Sequence, residues 1–106
     1  MRVEVPHGLS KDEAIAKIDR GSDQLFDFGS KHVEMTEQKK AWNGDTMTFS
    51  LLAKAGFIAL PLTGTIAVDE AAATVMCDLP PLAKQFVGEE KIAASVEKRL
   101  AAVLAP

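Results

Sequence analysis

The stretch that decides the fold runs from residue 42 to residue 79 and reads WNGDTMTFSLLAKAGFIALPLTGTIAVDEAAATVMCDL. Apolar side chains alternate with other residues in three runs, at 46–53, 57–68 and 73–79. Asn43-Gly44 is a strong hairpin signal, because both residues accept positive φ in a type I′ turn. Short connections at Ala55-Gly56 and Asp69-Glu70 separate the later runs. The pattern predicts consecutive antiparallel strands.

A fourth run precedes this stretch and extends the predicted sheet. Between His32 and Gln38, the apolar side chains of Val33 and Met35 alternate with charged or polar neighbours. Such alternation is typical of a strand with one solvated face. The four runs together predict a four-stranded antiparallel meander, in which Pro61 requires a bulge or an edge position because it has no N–H to donate.

Two amphipathic segments flank the meander, and each predicts a helix. The first follows a short strand at 2–5 and begins at Ser10, with Glu13 completing a capping box. Gly29-Ser30 is predicted to end this helix. The second follows Gly88, and a one- or two-turn helix is predicted before it at 82–87. The apolar stripes of the two long helices contain Ile15, Ile18, Ser22 and Leu25, and then Ile92, Val96, Leu100, Val103 and Leu104.

The predicted fold is therefore α+β, with the order β-α-β-β-β-β-α and a long C-terminal helix packed on the sheet. The length of 106 residues fits a single domain spanning 1–106. A chain of this size buries a modest core, which favours either low stability or association with a partner.

Composition excludes several classes of function. The formal charge of −3 disfavours a protein that binds nucleic-acid backbones, which usually carries a basic excess. Lys39-Lys40 is a basic pair ahead of Trp42, and we interpret it as a solvated hairpin edge. The single cysteine cannot form an internal disulfide. The charge therefore argues against nucleic-acid binding, and the cysteine count fits a reducing compartment such as the cytoplasm or leaves the compartment open.

One apolar segment, residues 51–68, approaches the length of a membrane span. It contains Lys54, Gly56, Pro61 and Gly64, and turn signals, which together favour two strands of a hairpin over a transmembrane helix. The acidic residue and proline at Glu4 to Pro6 argue against a secretory signal. We therefore predict no integral membrane insertion.

The chain has few residues arranged for catalysis or metal binding. His7 and His32 lack metal-ligand spacing, and Cys77 alternates with Val75 and Leu79 as a small core residue would. The carboxylates fall at caps and solvent faces. The sequence predicts no catalytic residues, no metal site and no cofactor.

The most informative surface feature is the excess of apolar residues in the second hairpin. Phe57, Ala59 and Pro61 lie opposite the core-facing residues of the same strand, so that this strand is apolar on both faces. One face requires a partner, a ligand or an apolar surface, unless its residues are small enough to tolerate water. A homodimer is the simplest such partner. Trp42 and Phe86 complete the predicted ligand or partner surface, although cross-strand packing also explains Trp42.

Three segments resemble the small polyhydroxyalkanoic acid system proteins, the granule-region family. They are VPHGLSKDEAIAKID at 5–19, WNGDTMTFS at 42–50, and the run from Gly56 to Leu100. The residues that carry the resemblance are His7 to Ser10, Trp42 with Gly44-Asp45, Gly64-Thr65-Ile66, and Leu79-Pro80.

The resemblance implies an intracellular bacterial protein linked to storage-polyester granules and supplies no catalytic residues. We therefore expect a non-enzymatic accessory protein that binds granules or granule proteins through apolar surface. The alternative is a small helix-grip-like module, dimeric or not, that binds an acyl or other hydrophobic ligand between the sheet and the last helix. An enzyme acting on hydroxyacyl thioesters is a third hypothesis, with Cys77 as its candidate nucleophile.

Overall fold

A computed structural model describes residues 1–26, 34–78, 81 and 88–105. Five strands and two long helices occupy this part of the chain. In chain order the elements are β1 (Arg2–Pro6), α1 (Lys11–Phe26), β2 (Glu34–Asn43), β3 (Thr46–Ala55), β4 (Ile58–Val68), β5 (Ala72–Asp78) and α2 (Glu89–Leu104).

The strands form one antiparallel sheet in the order β1-β5-β4-β3-β2. The meander from β2 to β5 confirms the prediction, and the α+β class is correct. The sheet has five strands, however, because β1 pairs with β5, with Val3 opposite Val75. This pairing joins residues about seventy positions apart. The alternation within β1 predicts a strand but does not indicate which strand pairs with it.

Both hairpin turns are one residue away from where the sequence pattern predicted them. Asn43 pairs with Thr46, so the two central residues are Gly44 and Asp45. Only Gly44 of these two has positive φ, at 66°. A glycine with positive φ at the first central position is typical of a type II′ turn, not the predicted type I′. In the second hairpin Ala55 pairs with Ile58, so the two central residues are Gly56 and Phe57, and Gly56 again has positive φ. Strand β4 therefore begins at Ile58 instead of Phe57.

An irregularity in β2 changes which side chains face the core. Thr36 pairs with Leu52 and Lys39 pairs with Ser50, so β2 contains one extra residue between these pairs. Glu37 lies in this bulge with φ of 54°. Because a bulge inserts one residue, it shifts the alternation of the rest of the strand. Lys40 and Trp42 consequently point to the inner face of the sheet, toward α1.

Helix α1 begins as the capping-box residues predicted. The Glu13 N–H donates to Ser10 Oγ at 3.2 Å, which satisfies one of the free donors at the helix start. The core-facing residues Ile18, Ser22 and Leu25 are buried, as predicted, whereas Ile15 is half-buried. The buried face of α1 therefore matches the predicted stripe except at its start, where Ala14 is buried in place of Ile15.

Helix α2 lies beside α1 and β1 on the inner face of the sheet. Its predicted stripe is confirmed, since Val96, Leu100 and Leu104 are buried and Ile92 and Val103 pack against the core. Gly21 of α1 permits a close approach, because a Cβ there would lie 2.8 Å from Cγ1 of Val103. The core shared by sheet and helices includes Ile18, Met47, Ile66 and Leu100.

Several predictions fall outside the described residues. They concern the helix end at Gly29-Ser30, the strand residues 32–33, the short helix at 82–87, Leu79-Pro80 and the surface residue Phe86. The histidine His32 belongs to the same group.

Candidate functional site

The β3–β4 hairpin carries the most exposed large apolar side chain of the described chain. Phe57 lies at the turn and is fully exposed, at 109% of its reference area. Ala59 and Pro61 follow on the outer face of β4 and are also exposed. Leu52 of β3 lies directly across from Pro61 on that face. We call these four residues the tip patch: Leu52, Phe57, Ala59 and Pro61.

The hairpin extends beyond its neighbours in the sheet, which explains why the patch is exposed. The last pair between β4 and β5 joins Thr63 to Asp78, so residues 58–62 of β4 have no β5 partner within the described chain. The molecule is correspondingly elongated, with extents of 42 × 24 × 21 Å. Among the described elements, the main contacts of helix α2 are with α1 and β1. Within the described chain, the tip patch therefore lies at the end of the hairpin that extends beyond β5.

Local sequence explains the direction of the Phe57 side chain. Gly56 has a φ of 62°, which favours glycine over other residues, and Ala55 pairs with Ile58 to close a two-residue turn. Phe57 occupies the second central position of this turn, outside both strands. The side chain has no strand neighbour to cover it, and it therefore extends into solvent.

Within the described chain Pro61 lies at an edge, which agrees with one of its two predicted positions. In a two-residue hairpin the closing pair is hydrogen-bonded and successive pairs alternate. Counting from Ala55 and Ile58, the Leu52–Pro61 pair is one that makes no hydrogen bonds across the hairpin. The side of Pro61 that would carry an N–H therefore faces away from β3. Strand β5 would pair on that side, but it ends at Asp78, opposite Thr63. Proline at such a position removes no ladder bond and discourages pairing with another strand.

Trp42 lies far from the tip patch. It pairs with Met47 beside the first hairpin turn, which is about 27 Å along β3 from the second turn at a rise of 3.4 Å per residue. Its indole Nε1–H donates to Asp19 Oδ1 of α1 at 2.9 Å. Trp42 therefore joins sheet to helix, and the structure does not bring it together with Phe57.

Lys40 completes the contacts around Asp19. Its Nζ lies 2.9 Å from Asp19 Oδ1 and donates to Ser22 Oγ at 2.7 Å. The hydrogen bonds from Lys40 and then from Trp42 hold the pKa of the Asp19 carboxyl below its usual value. Lys39 faces the opposite side of the sheet. The two lysines consequently do not form one basic surface.

Cys77 and His7 lie at opposite ends of the β1–β5 pair. Cys77 neighbours Met1 and is buried, and this burial raises the pKa of its thiol. His7 is also buried and bridges two backbone groups: Nδ1 accepts from the Leu9 N–H at 3.0 Å, and Nε2 lies 2.8 Å from the Asp69 carbonyl oxygen. Since six strand positions separate the two ends by about 20 Å, His7 cannot activate Cys77.

Among the described residues, side chains of α2 and of the sheet pack directly against one core. Val96 and Leu100 of α2 pack in the same buried cluster as Met47 and Ile66 of the sheet. An open cleft of about 320 Å³ lies instead between the two helices, where Lys17, Arg20 and Gln24 line it with the end of α2. This cleft is polar and is not the sheet–helix cavity that the acyl-binding alternative requires.

The outer face of the sheet carries a second feature, which the sequence analysis did not identify. Six hydroxyl side chains alternate along three adjacent strands and point away from both helices. They form what we call the hydroxyl face, which consists of Thr46, Thr48 and Ser50 of β3, Thr63 and Thr65 of β4, and Thr74 of β5. The signal in the sequence was the repeated spacing of two between threonines, in TMTFS and TGT.

Two other kinds of feature are absent from the described residues. Within residues 1–26, 34–78, 81 and 88–105, no group of three or more His, Cys, Asp or Glu residues is placed to hold a metal ion. In the same part of the chain, neither helix has the length and apolar character needed to cross a membrane.

Comparison with known proteins gives one family. The family model described as "Putative polyhydroxyalkanoic acid system protein" matches residues 1–104, which is nearly the whole chain. No curated protein matches the sequence.

Proposed function

The chain belongs to the polyhydroxyalkanoic acid system protein family, and we propose that it is a non-catalytic accessory protein that docks on polyhydroxyalkanoate granules or on their proteins. The tip patch makes the contact. On this proposal the chain works in the cytoplasm and at the granule surface, as one domain over residues 1–106, without a cofactor.

The observation that carries the proposal is the fully exposed Phe57 at the end of a projecting hairpin. Burying such a side chain against an apolar surface contributes about 1.5–3 kcal/mol. Ala59 and Pro61 extend the same surface along β4, and their small size leaves Phe57 free to reach a partner first. An isolated exposed apolar residue is common, but one placed at an extremity can contact a surface without any rearrangement of the fold.

The edges of the sheet indicate that the protein does not build its contacts by adding strands. The edge strand β2 contains the bulge at Glu37 and the exposed Lys39, and the other edge, β1, is five residues long and ends in Pro6. Bulges, lysines, short length and proline all discourage edge-to-edge pairing. A homodimer, which remains a prediction, would therefore use a face or the tip patch.

Flotation with isolated granules tests the proposal. Wild-type protein, Phe57→Ser and Phe57→Leu are mixed with granules, and the bound fraction is measured after density separation. We expect wild type and Phe57→Leu to partition to the granules. Phe57→Ser should bind about tenfold less, because it loses most of the apolar area that the patch can bury.

A matched control shows whether a loss of binding is specific to the tip patch. Ala16→Ser places the same hydroxyl group at an exposed position of α1 and should leave the bound fraction unchanged. If wild-type protein stays in the supernatant with both granules and granule-protein extracts, or if Phe57→Ser binds as wild type does, the proposal is wrong.

A further inference from the structure

We infer that the hydroxyl face recognises the ester carbonyl groups of the polyester chain itself, beside the tip patch that anchors the protein. This inference rests on the proposed function and identifies the polymer, in preference to a granule protein, as the partner. The hydroxyl face would donate hydrogen bonds to the polymer, and the tip patch would bury apolar area against it.

The first argument is the arrangement of the donors. Thr48 lies directly opposite Thr65, and Ser50 lies directly opposite Thr63. Hydroxyls two residues apart on a strand are separated by about 6.8 Å, and those on neighbouring strands by about 4.8 Å. The four side chains therefore form a grid on a sheet surface, so that an extended chain lying across it meets donors at regular intervals.

The second argument is that these hydroxyls have no partners within the described chain. None of the six forms a side-chain hydrogen bond to a described residue, whereas Thr36 on the same face donates to the Leu52 carbonyl oxygen at 3.4 Å. The hydroxyl of a threonine or serine supplies one donor. An uncharged polyester chain has ester oxygens that accept hydrogen bonds and no groups that donate them. The surface and the polymer are therefore complementary.

The third argument is the distribution of charge and apolar area around the grid. Its centre is neutral, with Ala67 and Met76 among the hydroxyls, and Met76 is 54% exposed. Charged side chains lie at the margins: Lys39 and Asp78 are opposite Ser50 and Thr63, and Glu4 and Arg2 of β1 are opposite Thr74 and Met76. Lys54 lies on the same face, opposite Ala59 of the tip patch. The grid is also continuous with the tip patch, since Pro61 and Thr63 are successive outer residues of β4. One polymer chain could therefore contact both.

The test compares two surfaces that differ in their acceptors. Protein-free particles of amorphous poly(3-hydroxybutyrate) offer ester carbonyls, and hexadecane droplets of the same size offer only hydrocarbon. The variant Thr48→Val/Thr63→Val/Thr65→Val removes three hydroxyls while keeping the β-branched shape that strands favour. Binding is measured by co-sedimentation or flotation, after thermal unfolding has shown that the variant is folded.

We expect the triple variant to bind the polyester at least tenfold more weakly, since each net hydrogen bond changes affinity by roughly two- to tenfold. Its binding to hexadecane should be equal or stronger, because valine is more apolar than threonine. Weaker binding to polyester together with equal or stronger binding to hexadecane would distinguish hydrogen bonding from simple apolar adsorption. The control Thr36→Val makes the same substitution on the same face, at a hydroxyl that is already engaged, and should leave polyester binding unchanged.

Two results would overturn the inference while leaving the proposed function standing. One is a triple variant that binds polyester as well as or better than wild type, with Phe57→Ser still defective, because apolar contact alone would then hold the protein. The other is wild-type protein that binds native granules but not bare polyester, because the partner would then be a granule protein. Failure of the proposed function looks different: wild type would bind neither.

Discussion

The two halves of β4 share one strand and differ in their neighbours. Residues Thr63 to Val68 lie between β3 and β5, and their inner side chains Ile66 and Val68 are buried. Residues Ile58 to Leu62 run past the end of β5; Leu62 on their inner face is still buried, whereas Ala59 and Pro61 on their outer face are exposed. The first half is enclosed on both edges, and the outer face of the second half is available for contact. Sequence changes should therefore cost stability in the enclosed half and binding on the outer face of the second half.

Gly64 in the enclosed half gives the largest expected effect. A Cβ at this position would clash with the Met76 carbonyl oxygen, and it would lie 2.7 Å from Cζ of the Phe49 ring. The backbone oxygen cannot move without disturbing the β4–β5 pairing, so Gly64→Ala should lower the free energy of unfolding by about 3 kcal/mol. Urea denaturation followed by circular dichroism measures this change.

A substitution that also adds one heavy atom, in the other half of β4, provides the comparison. Ala59 is exposed on the outer face, and Ala59→Ser should change the free energy of unfolding by less than about 0.5 kcal/mol. Wild-type stability of Gly64→Ala would show that β4 and β5 are farther apart than described, and would remove the distinction between the two halves.

Gly21 tests the contact between the helices that cover the enclosed half. Alanine is favoured over glycine within a helix by about 1 kcal/mol. The new Cβ would nevertheless lie 2.8 Å and 2.9 Å from the two γ-carbons of Val103. Because valine is stiff at χ1, we expect Gly21→Ala to destabilise the protein by about 1 kcal/mol net.

A double-mutant cycle identifies the cause of that loss. Combining Gly21→Ala with Val103→Ala should recover about 1 kcal/mol relative to the sum of the two single changes, because the added methyl then has room. Additive effects, or a stabilising Gly21→Ala, would mean that α1 and α2 do not approach each other this closely.

Asp19 is expected to have a smaller, pH-dependent effect. The hydrogen bonds from Lys40 and Trp42 lower the pKa of its carboxyl in the folded protein below the unfolded value of about 3.9. A lowered folded-state pKa means that the stabilisation is complete above the unfolded value and is lost as pH falls through the folded value. The side chain is 49% exposed, so that solvent screening keeps the contribution below about 1 kcal/mol.

Denaturation at a series of pH values checks this expectation. Asp19→Asn should be less stable than wild type at pH 7, and the difference should shrink as pH falls below about 4. Asp23→Asn changes an exposed carboxylate on the same helix and serves as the control. An Asp19→Asn variant with the same pH profile as wild type would contradict the described contacts of Trp42 and Lys40.

Some features of the fold can be predicted from the sequence, and others depend on contacts that no local pattern reveals. Alternation predicted the meander and the buried parity of β4, because period-two patterning is a local property that each strand carries by itself. The position of β1 beside β5 depends on a pairing across the whole chain. Lys40 faces inward only because the Glu37 bulge shifts the alternation of β2, and no residue in that segment is a glycine that would have signalled it.

The candidate site was predicted in part, for a similar reason. The excess of apolar residues draws attention to Phe57, Ala59 and Pro61, all of which are exposed, but the pattern places Phe57 within the strand. The turn at Gly56-Phe57 separates it from the others and gives it its full exposure. The sequence leaves Trp42 open between this surface and cross-strand packing, and the three-dimensional arrangement places it opposite Met47 and against α1.

Phe57 gives the smallest expected effect on stability and the clearest test of the comparison. Because its side chain contacts nothing that would be lost, Phe57→Ser should change the free energy of unfolding by less than about 0.5 kcal/mol, although it is the change expected to impair granule binding most. Leu51→Ser in the same hairpin replaces a buried residue and should cost several kcal/mol. If Phe57→Ser were destabilised to a similar extent, the ring would have to be packed against another part of this chain or a second copy. The tip patch would then be an internal contact, and the separation of β4 into a structural half and a contact half would no longer hold.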